Sequence, residues 1–142
     1  RNQPPGPISP PEWVVRVLDY AATVTEIERV HFGMPFYGYS WQRGNPPARA
    51  TTWESVQPWI ASFGVEVMRE PASGEAMVDA KPPGLPRQIV VYNDAASVGA
   101  RLEAVLTAHP DVGGMSIFGL GGEDPAVWAM IAALRPADCA SR

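Results

Sequence analysis

The sequence is almost without lysine and cysteine: among 142 residues, Lys81 is the only lysine and Cys139 the only cysteine. One cysteine cannot close an internal disulfide, so the fold must rest on its packed core, and the redox compartment stays open. The lysine shortage, with arginine supplying the rest of the positive charge, reads as genomic composition. Charged residues make up 18% of the chain and the formal net charge is −4. There is no basic patch to meet a phosphate backbone, which argues against nucleic acid as a partner. No run of about 18 apolar residues exists, so no membrane span is expected, and no secretory leader is recognisable. No phosphate loop is present either, since Gly119-Leu120-Gly121-Gly122 lacks both the lysine and the spacing. No His/Cys cluster points to a metal, and there is no Gly-x-Ser-x-Gly nucleophile turn. No cofactor or metal is expected on these grounds.

What is present is a core-forming composition, 46% hydrophobic. The chain opens on Arg1 and not methionine, which is expected of a processed or excised piece. Five prolines lie within the first eleven residues and make a stiff lead-in. A helix is expected from Glu12 to about Val24, with Val14, Val17, Leu18, Ala21 and Ala22 as its core stripe and Trp13 and Tyr20 packing beside it. Val30–Trp41 reads as one strand, with Val30, Phe32, Met34 and Phe36 on one face and His31, Gly33, Pro35 and Tyr37 on the other.

Residues 42–51 read as a loop. Thr51-Thr52-Trp53-Glu54 matches a Ser/Thr-x-x-Glu capping box opening a helix through Phe63, stopped by Gly64, with Pro58 as an expected kink. Val65–Glu70 and Glu75–Asp79 read as a hairpin around Pro71-Ala72-Ser73-Gly74. A loop follows over 80–87, then a short strand over Gln88–Tyr92. The next helix begins after Asn93-Asp94 with the stripe Val98, Leu102, Val105 and Leu106. Val112–Leu120 is a second long strand. Asp124 and Pro125 start a last helix that buries Val127, Ile131 and Leu134, and 136–142 is a tail.

Two segments, His31–Trp41 and Val112–Asp124, share a pattern: a buried strand that ends in glycines with aromatic or acidic residues, beside a helix able to cover it. This is how strands of a parallel β/α barrel present a site at their C-terminal ends. A whole barrel takes about 250 residues, so the chain is expected to carry one wall of such a site. The strand ends supply Tyr37, Tyr39, Trp41 and Phe118. Aromatic faces stack on the apolar faces of sugars, although buried aromatics also serve simply as core. Glu123-Asp124 reads first as a helix N-terminus, where negative charge is favoured, with acid–base work as the rival reading. His31 has no carboxylate near it in sequence and reads as structural.

The run Phe32-Gly33-Met34-Pro35-Phe36-Tyr37-Gly38-Tyr39-Ser40-Trp41 resembles the penultimate barrel strand of glycoside hydrolase family 18, with its Gly-x-Pro-x-Tyr-Gly pattern. This family includes chitinases, chitinase-like lectins and spore-cortex hydrolases. Val90-Val91-Tyr92-Asn93-Asp94-Ala95-Ala96-Ser97 is similar to the family's Tyr-Asp-Asp-x-x-Ser run. Gly113–Asp124 is similar to its last strand, Gly-Gly-Val-Met-x-Trp-x-Leu-Gly-x-Asp. The stretch 42–87 resembles the family's small α+β insertion, and Asn2–Pro11 the segment after the sixth strand. The resemblance covers nearly the whole chain and only about the last third of a family barrel.

It implies an α/β fold, the C-terminal portion of a (β/α)8 TIM barrel with a small α+β insertion domain. The borders fall at 1–41 for barrel, 42–92 for insertion and 93–142 for barrel. It implies a hydrolase of β-linked N-acetylhexosamine glycans, chitin-like or peptidoglycan, working with retention through the substrate's own acetamido group. The family's acid closes an Asp-x-x-Asp-x-Glu motif that these residues do not contain, so no catalytic residue is assigned to this chain and the chain alone is expected to be inactive. The residues implied to line sugar subsites are Tyr37, Tyr39, Trp41, Arg49, Phe118 and Glu123. Phe118 stands where the family usually has tryptophan. Tyr39 follows Gly38 where chitinases commonly have arginine, which favours the spore-cortex branch. The implied partners are an N-acetylhexosamine oligosaccharide or polysaccharide and either the missing N-terminal barrel portion or a second copy, in a secreted or cell-envelope protein. A non-catalytic glycan-binding homologue and a structural or interaction module are the alternative readings.

Overall fold

The computed structural model describes residues 4–42 and 45–133. In chain order it contains α1 (Pro11–Val24), a short 3-10 turn (Ile27–Arg29), β1 (His31–Pro35), β2 (Tyr37–Gln42), β3 (Asn45–Thr52) and α2 (Trp53–Phe63). There follow β4 (Met68–Arg69), β5 (Ala76–Ala80), β6 (Gln88–Tyr92), α3 (Ala95–Ala108), β7 (Gly114–Phe118) and α4 (Ala126–Ala133). Among the described residues no helix is long and apolar enough to cross a membrane.

Two sheets divide these strands. β1 and β7 pair in parallel, from His31 opposite Gly114 to Pro35 opposite Phe118. Phe32 and Met34 turn one face of this pair onto a core shared with Val14 and Leu18 of α1, Val98, Leu102 and Val105 of α3, and Val127 of α4. A parallel pair covered by helices on one face, in the order strand, helix, strand, helix, is a slice of a (β/α)8 barrel. Gly113 has no side chain because a Cβ there would run into the carbonyl of Glu28. The other sheet is antiparallel, ordered β3-β2-β6-β5-β4, with α2 packed on one face around Val56, Val78, Val90 and Tyr92.

The long strand expected over 30–41 is two strands. The Phe36 amide donates to the Phe118 carbonyl at 2.8 Å, which ends the parallel ladder, and the chain then enters the antiparallel sheet as β2. β2 therefore runs across the border drawn at residue 41. The loop expected over 42–51 is largely β3, hidden from sequence reading by Pro46 and Pro47. Prolines are tolerated there because β3 is an edge strand whose pairing with β2 shifts register between Arg49 and Asn45.

The capping box of α2 is shifted by one residue. Thr52 is the N-cap and exchanges hydrogen bonds with Ser55, while Gly64 closes the helix at φ +57°. The flanks of α1 depart from expectation: Trp13 is 52% exposed, Tyr20 69%, and Val17 is exposed as well, because α1 packs on α3 with one side only. Leu106 is likewise at the surface. Leu134, the tail and Cys139 lie outside the described residues.

A buried ion pair ties the two sheets together. Arg101 of α3 and Glu75, at the entry to β5, meet at 2.8 Å with both side chains fully buried. Arg101 also donates to the Ser9 carbonyl (2.8 Å), the Asn93 side-chain carbonyl (3.0 Å) and the Met34 sulfur (3.2 Å). Glu75 accepts from the backbone amides of Ile8 (2.7 Å) and Ser9 (2.9 Å) and from the Ser73 hydroxyl (3.0 Å).

The junction between β6 and α3 is built on Asp94, the N-cap of α3, which forms a reciprocal capping box with Ser97 and an ion pair with Arg69 at 2.8 Å. Partial burial pushes the Asp94 carboxyl up, but the hydrogen bonds from Arg69 and the Ser97 amide prevail and hold it below the usual carboxylate range. A carboxyl with a depressed folded pKa adds stability above its unfolded value of about 3.9, and that stability is lost as pH falls through the folded value. Asp94→Ala is therefore expected to cost about 1–2 kcal/mol at pH 7 and to flatten the acid side of the stability profile, read as urea midpoints at pH 7 and pH 3.

Candidate functional site

β2 alternates large aromatics with small residues. Register fixes where each points, because residues directly opposite one another share a face. Gly38 lies opposite Tyr92 and Ser40 opposite Val90, so both face the α2-covered side. A Cβ on Gly38 would lie 2.6 Å from the Tyr92 Cα, which is why the residue between the two tyrosines is glycine. Tyr37, Tyr39 and Trp41 therefore share the opposite, open face.

Their rings form a continuous row with Phe118 at the end of β7. Phe118 and Tyr37 are 5.9 Å apart at 88°, Tyr37 and Tyr39 5.6 Å at 80°, and Tyr39 and Trp41 6.0 Å at 58°. Two edge-to-face contacts and one tilted contact hold each ring against its neighbour. Phe118 is 72% exposed at the end of the row. Tyr37 is fixed from behind, because the Asn93 amide donates to its backbone carbonyl at 3.0 Å. Its phenol is pushed up by burial, by Tyr39 and by Glu75, and so stays neutral at physiological pH.

Two clefts flank the row. One, of about 350 Å³, lies between Tyr37, Tyr39 and Phe118 on one side and Ala50, Thr52 and the Gly119–Gly121 loop on the other. The second, of about 530 Å³, lies between Tyr37, Tyr39 and Trp41 and the lead-in segment Pro4–Ile8. Both are lined by aromatic rings; the first is mostly apolar, while the second mixes polar and apolar surface about equally.

The two remaining sequence-predicted residues are placed differently. Arg49 sits opposite Ser40 in the ladder, so it lies on the face turned away from the rings, and it is exposed. Glu123 is engaged locally. It accepts from the Gly121 amide at 2.7 Å and from the Trp128 indole at 3.1 Å, and backbone hydrogen bonding lowers its pKa. Asp124 joins two helix starts, accepting from Ala95 of α3 at 2.9 Å and Ala126 of α4 at 3.0 Å. His31 contacts the Gly113 carbonyl at 3.2 Å, at the opposite end of β1 from the row, a structural role. Sequence reading missed Pro4–Ile8 and Thr52 as walls. The proline density of the lead-in was the only signal for the first, and the second is set by tertiary contact alone.

Thr52 meets the Gly119–Gly122 loop closely. Gly122 has φ +80°, a Cβ on it would lie 2.7 Å from the Thr52 hydroxyl, and its carbonyl accepts from Glu54 at 2.9 Å. Gly122→Ala is expected to cost about 1–3 kcal/mol through the left-handed backbone and the clash, seen as a lowered thermal midpoint.

No family model matches the sequence, and no curated protein matches it. Solved structures do. The spore cortex-lytic enzyme SleL of Bacillus megaterium QM B1551 superposes with a TM-score of 0.80 at 24% identity, over 92% of this chain and 31% of that one. A chitinase from Chromobacterium violaceum gives a TM-score of 0.78 at 26% identity, over 93% of this chain and 41% of that one. Human YKL-39, described as a pseudo-chitinase with retained chitooligosaccharide binding, gives 0.61 at 16%, over 87% and 39%. The chain thus spans well under half the length of the structures it matches. Its fold is that of the C-terminal part of a chitinase-like catalytic domain of the glycoside hydrolase family 18 type, a partial (β/α)8 barrel carrying an antiparallel insertion.

Proposed function

We propose that the chain is the glycan-binding flank of a family 18-type carbohydrate-active protein that acts on β-linked N-acetylhexosamine glycans, chitin-like or peptidoglycan, at the cell envelope or outside the cell. The observation that carries this reading is the aromatic row Phe118–Tyr37–Tyr39–Trp41, bordered by clefts on both sides. Its substrate-facing residues are Tyr37, Tyr39, Trp41 and Phe118, stacking on sugar faces. Arg49 and Glu123 contribute only if a ligand reaches around the sheet edge or displaces the bonds Glu123 makes to Gly121 and Trp128.

The catalytic acid is absent from these residues, so hydrolysis requires the rest of a barrel. Two features favour such a partner. β1 and β7 each pair with one strand only among the described residues. Trp13, Val17, Tyr20 and Val24 of α1 form an exposed stripe at helical spacing, and contiguous exposed apolar surface marks an interaction face. The N-terminal barrel portion fits both, adding a parallel strand beside β1 and a helix beside α1.

A binding role without hydrolysis is the second reading. Phe118 favours it, because a phenyl ring keeps a stacking face but has no N–H with which to hold a reacting sugar.

Titration of the chain with N-acetylglucosamine oligomers is expected to change its tryptophan emission, and Tyr39→Ala to weaken binding about threefold to tenfold, the worth of one stacked ring. No change at millimolar sugar overturns the glycan reading. A fluorogenic N-acetylglucosamine oligomer is expected to give no turnover with the chain alone, and clear turnover refutes the assignment of the acid to another segment.

A further inference from the structure

The larger cleft has one wall with no regular secondary structure. Pro4–Ile8 makes no ladder, yet it stands opposite Tyr37, Tyr39 and Trp41 across about 530 Å³. A segment without ladder bonds keeps its place only if its backbone groups are held otherwise. Here the groups that are held lie at its C-terminal end. Both carboxylate oxygens of Glu75 accept there, one from the Ile8 amide at 2.7 Å and the other, just past the segment, from the Ser9 amide at 2.9 Å. Arg101 completes the grip, binding the Ser9 carbonyl at 2.8 Å and Glu75 at 2.8 Å. The facing wall leads back to the same pair. Arg101 binds the Asn93 side-chain carbonyl at 3.0 Å, and the Asn93 amide holds the Tyr37 carbonyl at 3.0 Å.

We infer that Glu75, locked by Arg101, is a positioning residue that sets the gap between the Pro4–Ile8 wall and the Tyr37–Tyr39–Trp41 row, and so sets how tightly the cleft closes on a sugar chain. The inference rests on the glycan-binding reading for its ligand. Its mechanical part does not depend on that reading. Buried ion pairs contribute little net stability and serve specificity of arrangement in some systems, and a pair whose acceptors and donors lie in both walls of one cleft is suited to that use. The prolines add stiffness, since a chain with φ fixed near −65° has little freedom to fill the gap.

Glu75→Gln separates these roles with minimal change of shape. The amide keeps one acceptor atom and turns the other into a donor. With its oxygen toward Arg101 and Ser9, the Ile8 amide is left without a partner. Pro5→Gly/Pro7→Gly leaves the ion pair intact and loosens the wall alone.

Hydrogen exchange on the full chain is expected to show the Ile8 and Ser9 amides of Glu75→Gln opening at least about tenfold faster, with α3 and β6 unchanged. The same variant is expected to bind N-acetylglucosamine oligomers several-fold more weakly. The proline variant is expected to match that loss of affinity with a thermal midpoint lower by only a few degrees. Unchanged exchange at Ile8 and Ser9, or full affinity in the proline variant, overturns the inference. A uniform rise in exchange with unchanged affinity of the folded protein assigns Glu75 to stability alone and overturns it as well. Should the wild-type chain bind no oligomer, the glycan reading fails, while the exchange at Ile8 and Ser9 still decides the positioning.

Discussion

A guanidinium and a carboxylate meet in this protein with no exposure to solvent. Taking each ion out of water costs several kcal/mol even after relaxation, and only a full set of hydrogen bonds offsets it. Burial draws the Arg101 pKa down and Glu75 pulls it back up. The offset comes from four places distant in sequence: Ser9 in the lead-in, Met34 in β1, the Ser73–Glu75 turn before β5, and Asn93 after β6. No smaller assembly satisfies both charges. The barrel slice and the antiparallel sheet, each with its own apolar core, are therefore obliged to form around one another.

That obligation shapes the site. The chain passes from β1 to β2 through Phe36, whose amide is tied to Phe118. The last residue of the parallel pair and the first of the antiparallel sheet are thus brought within ring contact. A second tie runs from Gly122 to the start of α2. Phe118 and Tyr37 are distant in sequence and come from different sheets. They form one surface because backbone hydrogen bonds tie the boundary between the sheets at Phe36 and at Gly122.

The parts legible in sequence were those written in local chemistry. The helices α1, α3 and α4, the strand over Gln88–Tyr92, the Gly64 stop and the hairpin before β5 follow from periodicity, caps and turns. The barrel slice followed from two strands with glycine-rich ends. β3 was not legible, because two prolines read as loop wherever edge status is unknown, and edge status is a property of the sheet. The break at Phe36 left a mark that reading the stretch as one strand passed over: large residues occupy even positions through Phe36 and odd positions from Tyr37, and the hydrogen-bonding partner changes where the parity does. Within the site, Tyr37, Tyr39, Trp41 and Phe118 were legible as aromatics at strand ends. The far side of the sheet on which Arg49 sits required the register against Ser40. Glu75 gave no signal at all, being a single glutamate beside a turn.

The alternation along β2 divides labour within one strand. Gly38 and Ser40 answer to Tyr92, Val90 and the helix beyond them, where an added methyl group meets backbone. Tyr37, Tyr39 and Trp41 answer to the opposite face. Exchanges among these rings leave the α2-packed core untouched, so the open face can vary while the architecture stands still. The open face of this strand can thus change its chemistry without any rebuilding of the fold.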